Sequence, residues 1–387
     1  MMNELSKLRL KRNYIFKSLL FLIAGVSYIG CTKNSNTTTT TPITGNTVGN
    51  IYTVAGGGTG TKDSGDGGLA IYARLREAVA VCIDANGNLF IAEGLQHSIR
   101  KVNANGIIST YADTSGTSGF IGDGGLAISA KLNNPTGVCT DAAGNLFIAD
   151  ENNNRVRQIS SSGIISTFAG NGTTSGSTNG DGGQAINALL GSPHGVFTDT
   201  SGNLFIAEYS NNRIRKVSKY GIITTVAGNG SFGFSGDSSL ATAAKIKGPY
   251  GVFVDAYGNL FIADWLNKRV RKVDTKGIIT TVAGKGGNTY SGDGGKAIDA
   301  GLDPVAVCTD PAGNLYIADW INSRVRKVDT NGVITTVAGG GALTANYGDG
   351  GPATSASVVI PTSVCVDASG TNLYISSGSR IRKVVLK

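Results

Sequence analysis

From Asn50 to Lys387 the chain repeats one phrase six times, and this restricts its fold more than any other feature. A Gly-Asp turn recurs at Asp66, Asp123, Asp181, Asp237, Asp293 and Asp349, at intervals of 56 to 58 residues. A Gly-Asn-Leu-aromatic-Ile run recurs with it, from Asn88-Leu89-Phe90-Ile91 in the first unit to a slightly altered Asn372-Leu373-Tyr374-Ile375 in the sixth. Each unit holds four short runs rich in Val, Ile, Thr and aromatics. In the fifth they are Val305 to Thr309, Leu315 to Ala318, Val325 to Val328 and Val333 to Ala338. Asp-Pro-Ala-Gly-Asn joins the first two and Asp-Thr-Asn-Gly the last two, turn chemistry suited to tight antiparallel connections. No helix-length apolar period appears in the repeats. Only the piece after each Gly-Asp-Gly-Gly, such as Lys296 to Leu302, has room for a helical turn, with Asp293 or a neighbour as its cap.

Six four-stranded sheets in series form either an open array or a closed propeller. The sixth unit runs to Val384-Val385-Leu386-Lys387 after its third strand, without the Ile-Thr-Thr-Val-Ala-Gly run of the others. That run stands instead ahead of the first unit, as Ile51-Tyr52-Thr53-Val54-Ala55-Gly56. A displaced strand has a use only if it completes the last sheet and closes a ring, which also covers two exposed strand edges. The expectation is an all-β, six-bladed β-propeller over residues 50–387, acting as a monomer.

The residues before it read differently. Lys7, Arg9, Lys11, Arg12 and Lys17 form a positive n-region, followed by a short apolar run over residues 18–30. It closes on Tyr28-Ile29-Gly30-Cys31, which resembles the lipobox of bacterial lipoproteins, with Tyr28 where that pattern usually has Leu. The resemblance implies a signal peptide over residues 1–30 and lipidation of Cys31. Residues 31–49, with five consecutive threonines, cannot bury apolar surface and read as a flexible tether. The expected location is therefore the bacterial cell envelope, lipid-anchored, on the periplasmic side or the cell surface. Formal net charge is +8, and five of the Lys and Arg sit in the leader, so the remainder is too mildly basic to make nucleic acid a partner. Cys82, Cys139, Cys308 and Cys365 occupy one place in the first strand of four units, where the other two carry Phe197 and Phe253. Equivalent positions on neighbouring blades lie about 10 Å apart, beyond a disulfide's reach. These are expected to be buried free thiols.

The pattern Pro-x-Gly-Val-x-x-Asp-x-x-Gly-Asn-Leu-(Phe/Tyr)-Ile-Ala-Asp-x-x-Asn-x-Arg-(Ile/Val)-Arg-Lys-Val, fullest over Pro249 to Val273, resembles the NHL repeat. That resemblance implies a six-bladed propeller, and in most such proteins a scaffold binding protein, RNA or glycan. A minority of related propellers are enzymes.

A scaffold residue should recur in every unit, whereas a site residue should not. Glu93, Asp150, Glu208, Asp264 and Asp319 follow Ile-Ala in five units, with Asn153, Asn211, Asn267 and Asn322 and then Arg155, Arg213, Arg269 and Arg324 behind them. An acid five residues before an arginine across a hairpin loop predicts an ion pair or a side-chain clamp on that loop. The Gly-Asp turns recur likewise. One Asp per loop falls short of the six to eight oxygens of a calcium site, and Asp63 with Asp66 is the richest case. Asp84, Asp141, Asp199, Asp255, Asp310 and Asp367 recur as turn acids before Gly-Asn.

The positions that vary are the entry residue of each first strand and the tips of the loops after the second. The entry residues are Val79, Thr136, His194, Tyr250, Val305 and Thr362; the tips include Glu151, Tyr209, Trp265 and Trp320. Alternation of strand direction puts both sets on one face, the top, beside the channel. Units three to five would thereby gather His194, Tyr209, Tyr250, Trp265 and Trp320. Exposed aromatics around a cleft suit flat binding to sugar rings or peptide side chains; packing against the adjacent Gly-rich loop is the structural alternative. The functional expectation is a membrane-tethered binding or interaction scaffold for a protein, peptide or glycan, with no cofactor, metal or catalytic residue assigned. The alternative is a propeller-type lyase or lactonase with a metal in the central channel. The two histidines, His97 and His194, fall short of a three-His metal site, so an enzyme is the lesser expectation.

Overall fold

The computed structural model describes residues 47–58, 65–174, 179–344 and 346–387. The leader, Cys31, most of the Thr-rich tether and Asp63 lie outside the described residues. Among those described, six antiparallel sheets of four main strands follow one another as the blades of a propeller. The first consists of Ala78–Ile83, Leu89–Glu93, Ser98–Val102 and Ile108–Ala112. In the fourth blade a two-residue strand, Ser239–Leu240, is added outside Ile278–Ala283.

The ring closes as the displaced strand predicts. Ile51–Ala55 lies antiparallel to Arg380–Val385, with Ile51 opposite Val384, Tyr52 opposite Lys383, Thr53 opposite Arg382 and Ala55 opposite Ile381. Ile51 is fully buried among residues of blades five and six, including Val364, Leu373 and Val384. An apolar core of this kind fills the space between each pair of neighbouring blades. In blades one to five the second strand is covered on both faces, which is why it reads as an unbroken Leu-aromatic-Ile-Ala run instead of an alternating one.

The recurring polar residues hold the blades together. At the first hairpin Asp84 accepts from the backbone N–H of Asn86 and Asn88 at 2.9 and 2.8 Å, and from the Asn88 amide at 2.7 Å. Gly87, at φ +78°, makes the turn that any side chain would strain. The other five turn acids repeat the bond to the following Asn or Thr N–H. The piece after Gly-Asp-Gly-Gly forms one 3₁₀ turn, as in Ala297–Asp299, but it has no side-chain cap. The expected cap, Asp293, instead accepts from the buried Arg326 and from the Thr336 N–H.

That pairing corrects the expected partner of the loop acids. Each third strand carries a fully buried arginine: Arg100, Arg157, Arg215, Arg271, Arg326 and Arg382. Arg157 reaches Asp123 of the Gly-Asp turn at 2.5 Å and Asp150 at 3.5 Å; Arg215 reaches Asp181 at 2.6 Å and Glu208 at 3.3 Å. The acids thus pair with the arginine seven residues on, not with Arg155 or Arg213. The physical reason is depth. Arg155 lies opposite Asp150 at the loop end of the hairpin, where its guanidinium finds the carbonyls of Asn153 and Asn171 at 3.0 and 2.8 Å. Arg157, two residues deeper on the same face, has no exposure and needs a countercharge. The clamp on the loop is nonetheless present, since Asn153 donates to Asp150 at 2.8 Å. Blade six carries Ser377 in place of the acid, and Arg382 bonds the Ser357 carbonyl at 2.9 Å instead.

Candidate site at the mouth of the channel

The first strands of all six blades line the axis around a cavity of about 170 Å³. Gly137, Gly195 and Gly251 let neighbouring first strands touch: a Cβ on Gly137 would stand 2.2 Å from the His194 carbonyl oxygen. At the level of the thiols the lining includes Cys82, Cys139, Phe197, Phe253, Cys308 and Cys365. All four cysteines are free, three of them buried and Cys365 half-buried, as their spacing predicts. Burial pushes the Cys365 thiol up to about 12 and Cys82 well above its usual value.

At the top, side chains from a loop tip and from the next blade's entry meet. Each tip is positioned by a left-handed residue that ties it to the following blade. Asn154 accepts from the Ser192 N–H at 3.2 Å, Asn212 from the Gly248 N–H at 3.0 Å, and His97 through Nδ1 from the Asn134 N–H at 3.0 Å. His97 is therefore a link between blades one and two, and burial holds it below the usual histidine range.

The five residues singled out from the sequence form one continuous cluster. His194 and Tyr250 have ring centroids 3.7 Å apart, and Tyr209 stands 6.0 Å from His194 and 6.5 Å from Tyr250. Trp265 is 5.3 Å from Tyr250 and 5.9 Å from Tyr209, and Trp320 is 5.7 Å from Trp265. Their exposure differs from the expectation of five accessible rings. His194 and Trp265 are buried, at 1% and 8%, while Tyr209, Tyr250 and Trp320 are half-buried. Trp265 is held in place by its Nε1, which donates to Asp303 at 2.8 Å. The tryptophans and tyrosines pack against one another rather than side by side, so packing and access divide the cluster between them.

Two buried carboxylates flank it. Glu151, 2% exposed, accepts from the Asn134 amide at 2.6 Å and lies 3.7 Å from His194 Nε2. Asp303, 1% exposed, takes the Trp265 indole and the Lys268 ammonium, and its own N–H donates to Asp319 at 2.7 Å. Asp303 and Lys268 were not singled out by the sequence reading. Their signal was available: the residue before each entry proline or its equivalent is Glu77, Asn134, Ser192, Gly248, Asp303 or Ile360, and Lys268 stands where blades one, two, three and five carry His97, Asn154, Asn212 and Ser323. Among the described residues no three His, Cys, Asp or Glu side chains converge as a metal-ligating group.

A family profile described as the Teneurin NHL domain matches residues 114–179 and 173–235. These matches, on six such blades, support an NHL-type propeller. Human teneurin-1 is 31% identical over 231 residues, which is 54% of this chain but only 8% of teneurin-1. The chain thus spans less than a tenth of the teneurins it matches. Among solved structures, an auxiliary nutrient binding protein from Bacteroides ovatus is similar with a TM-score of 0.62 at 16% identity, over 86% of this chain and 76% of that one. A gluconolactonase from Xanthomonas campestris is similar with a TM-score of 0.54 at 12% identity, over 87% and 89%. At such identities the two structures bear on the fold of the NHL-type propeller alone.

Proposed function

We propose that this chain is a membrane-tethered binding or interaction scaffold of the bacterial cell envelope, taking a peptide, protein or glycan ligand on the top face of its propeller. The observation that carries the reading is where the six units differ. Turn acids, buried arginines and blade cores repeat from unit to unit, whereas His194, Tyr209, Tyr250, Trp265 and Trp320 break the repeat and lie together at one channel mouth. Large amphipathic rings are what a binding surface uses, and a rigid ring of blades presents them without an ordering cost. The description of the Bacteroides ovatus propeller as nutrient-binding is consistent with this use of the fold. The basic leader, the Tyr28-Ile29-Gly30-Cys31 sequence and the Thr-rich stretch support tethering through a lipid on Cys31.

Glycan and peptide arrays probed with the unmodified chain and with a Tyr209→Ala, Trp320→Ala double variant test the site. These two rings are the better choice because Trp265 is buried and its loss would unsettle the fold. Array signals that the variant retains in full would discard the top face. Palmitate labelling in a bacterial host, lost on Cys31→Ala, tests the anchor.

A further inference from the structure

The mouth carries one further inference, which rests on the top-face reading and concerns the chemistry of the ligand. A flat sugar ring needs a broad aromatic face, or neighbouring faces lying in one plane. Two pairs at this mouth are only tilted, His194 with Tyr250 at 32° and Tyr209 with Trp265 at 37°, but the others stand across one another. Tyr209 and Tyr250 are inclined at 89°, Tyr250 and Trp265 at 71°, and Trp265 and Trp320 at 83°. Perpendicular rings with centroids 5.3 to 6.5 Å apart make corners, in which a compact rounded group touches two or three faces at once.

The charges point the same way. Glu151 stands at one end of the ring cluster and Asp303 at the other, both removed from water. A carboxylate in a low-dielectric wall attracts a cation more strongly than one in solvent does. The protein itself already uses this combination at the mouth. The Lys268 ammonium pairs with Asp303 and lies 5.2 Å from the Trp265 ring centroid, a cation held between an indole face and a buried acid.

We infer that the ligand bound at this mouth presents a compact organic cation, an alkylammonium, to the half-buried faces of Tyr209, Tyr250 and Trp320 under the field of Glu151, the charge of Asp303 being already met by Lys268. Such a group comes either from a small amine or from a lysine side chain of a peptide. Both sources share the chemistry that the rings and the acid recognise.

The test uses two matched pairs of probes on the purified full chain, read by tryptophan fluorescence and by line broadening of the probe. Choline is compared with 3,3-dimethylbutan-1-ol, its neutral isostere, and Nα-acetyl-lysine methylamide with the norleucine analogue. The expected result is saturable binding of at least one cation, about tenfold tighter than its neutral partner. The pair that responds identifies the source. Glu151→Gln and, independently, Trp320→Leu should each weaken the cation several-fold with little change for the neutral probe. Because the isostere comparison needs no variant, a variant that fails to fold leaves the test standing. Equal binding of cation and isostere would overturn the inference. So would methyl β-glucoside binding in a Trp320-dependent way where the cations fail, although the top-face site would survive that result. No response to any probe would remove both.

Discussion

Replacing Glu208 by Gln removes one ionisable proton from a place where two opposing effects compete. Glu208 is fully buried, with Oε1 3.3 Å from Arg215 and Oε2 3.3 Å from the Asn211 amide. Desolvation favours its neutral form; the guanidinium and the amide favour its charged form. The geometry says which prevails, because Arg215 makes its short contact with Asp181 at 2.6 Å and only a longer one with Glu208. Burial accordingly pushes Glu208 up to about 7, against the pull of Arg215 and Asn211. Asp181 is held below the usual aspartate range: its partial burial opposes this, but the Thr225 hydroxyl and the Arg215 charge outweigh it. Between pH 4.5 and about 7 the folded Glu208 keeps a proton that the unfolded one has lost. Its contribution is therefore full below the unfolded value and is lost as pH rises through the folded one. The Gln variant has no proton to release and stays flat. The stability difference between parent and variant should then shift against the parent by roughly 3 kcal/mol from pH 4.5 to pH 8. Asp150 and Asp264, pushed by burial to about 6, titrate in the same window in both proteins and cancel in the difference. Urea unfolding followed by tryptophan fluorescence at half-unit pH steps measures it. A difference that moves in the parent's favour with rising pH would show that Arg215 outweighs desolvation and would refute the reasoning.

Other outcomes follow from the same contacts. Ile51→Ala opens a cavity at the seam that closes the ring and should cost about 2–5 kcal/mol, seen as a lowered denaturation midpoint and faster proteolysis near residue 51. Asp349→Asn should destabilise more than Asp237→Asn, by about 1–3 kcal/mol in chemical denaturation, because Arg271 keeps Asp264 as a second carboxylate while Arg382 has only the Ser357 and Tyr347 carbonyls. Cys82, Cys139 and Cys308 should resist a thiol-reactive dye at pH 8 and react on unfolding, since burial both hides them and raises their thiols; rapid labelling of the folded chain would contradict the buried ring.

Much of the architecture was legible because repetition multiplies a weak signal. A single run such as Leu146-Phe147-Ile148-Ala149 is ambiguous between buried strand and buried helix. The same run bounded by the same turn acids in every unit is not. The location of the aromatic cluster was legible too, because it depends only on strand alternation and on which positions break the repeat. What escaped was reach. Arg155 and Arg157 both lie within range of Asp150 by spacing, and only their different depths decide that Arg157 takes the charge. Asp303 escaped because it meets Trp265 across 38 residues and two blades.

The amino-acid sequence by itself determined the number of blades, the order of strands within them and the meeting of Ile51–Ala55 with Arg380–Val385, since these follow from local turn chemistry and from one strand standing apart from its unit. Tertiary structure alone decided which rings are buried, how they are inclined, and that two buried acids bracket them. The physical reason is that backbone pairing is periodic and can be counted along a chain, whereas solvent exclusion at the mouth is set jointly by side chains of neighbouring blades that no local pattern connects.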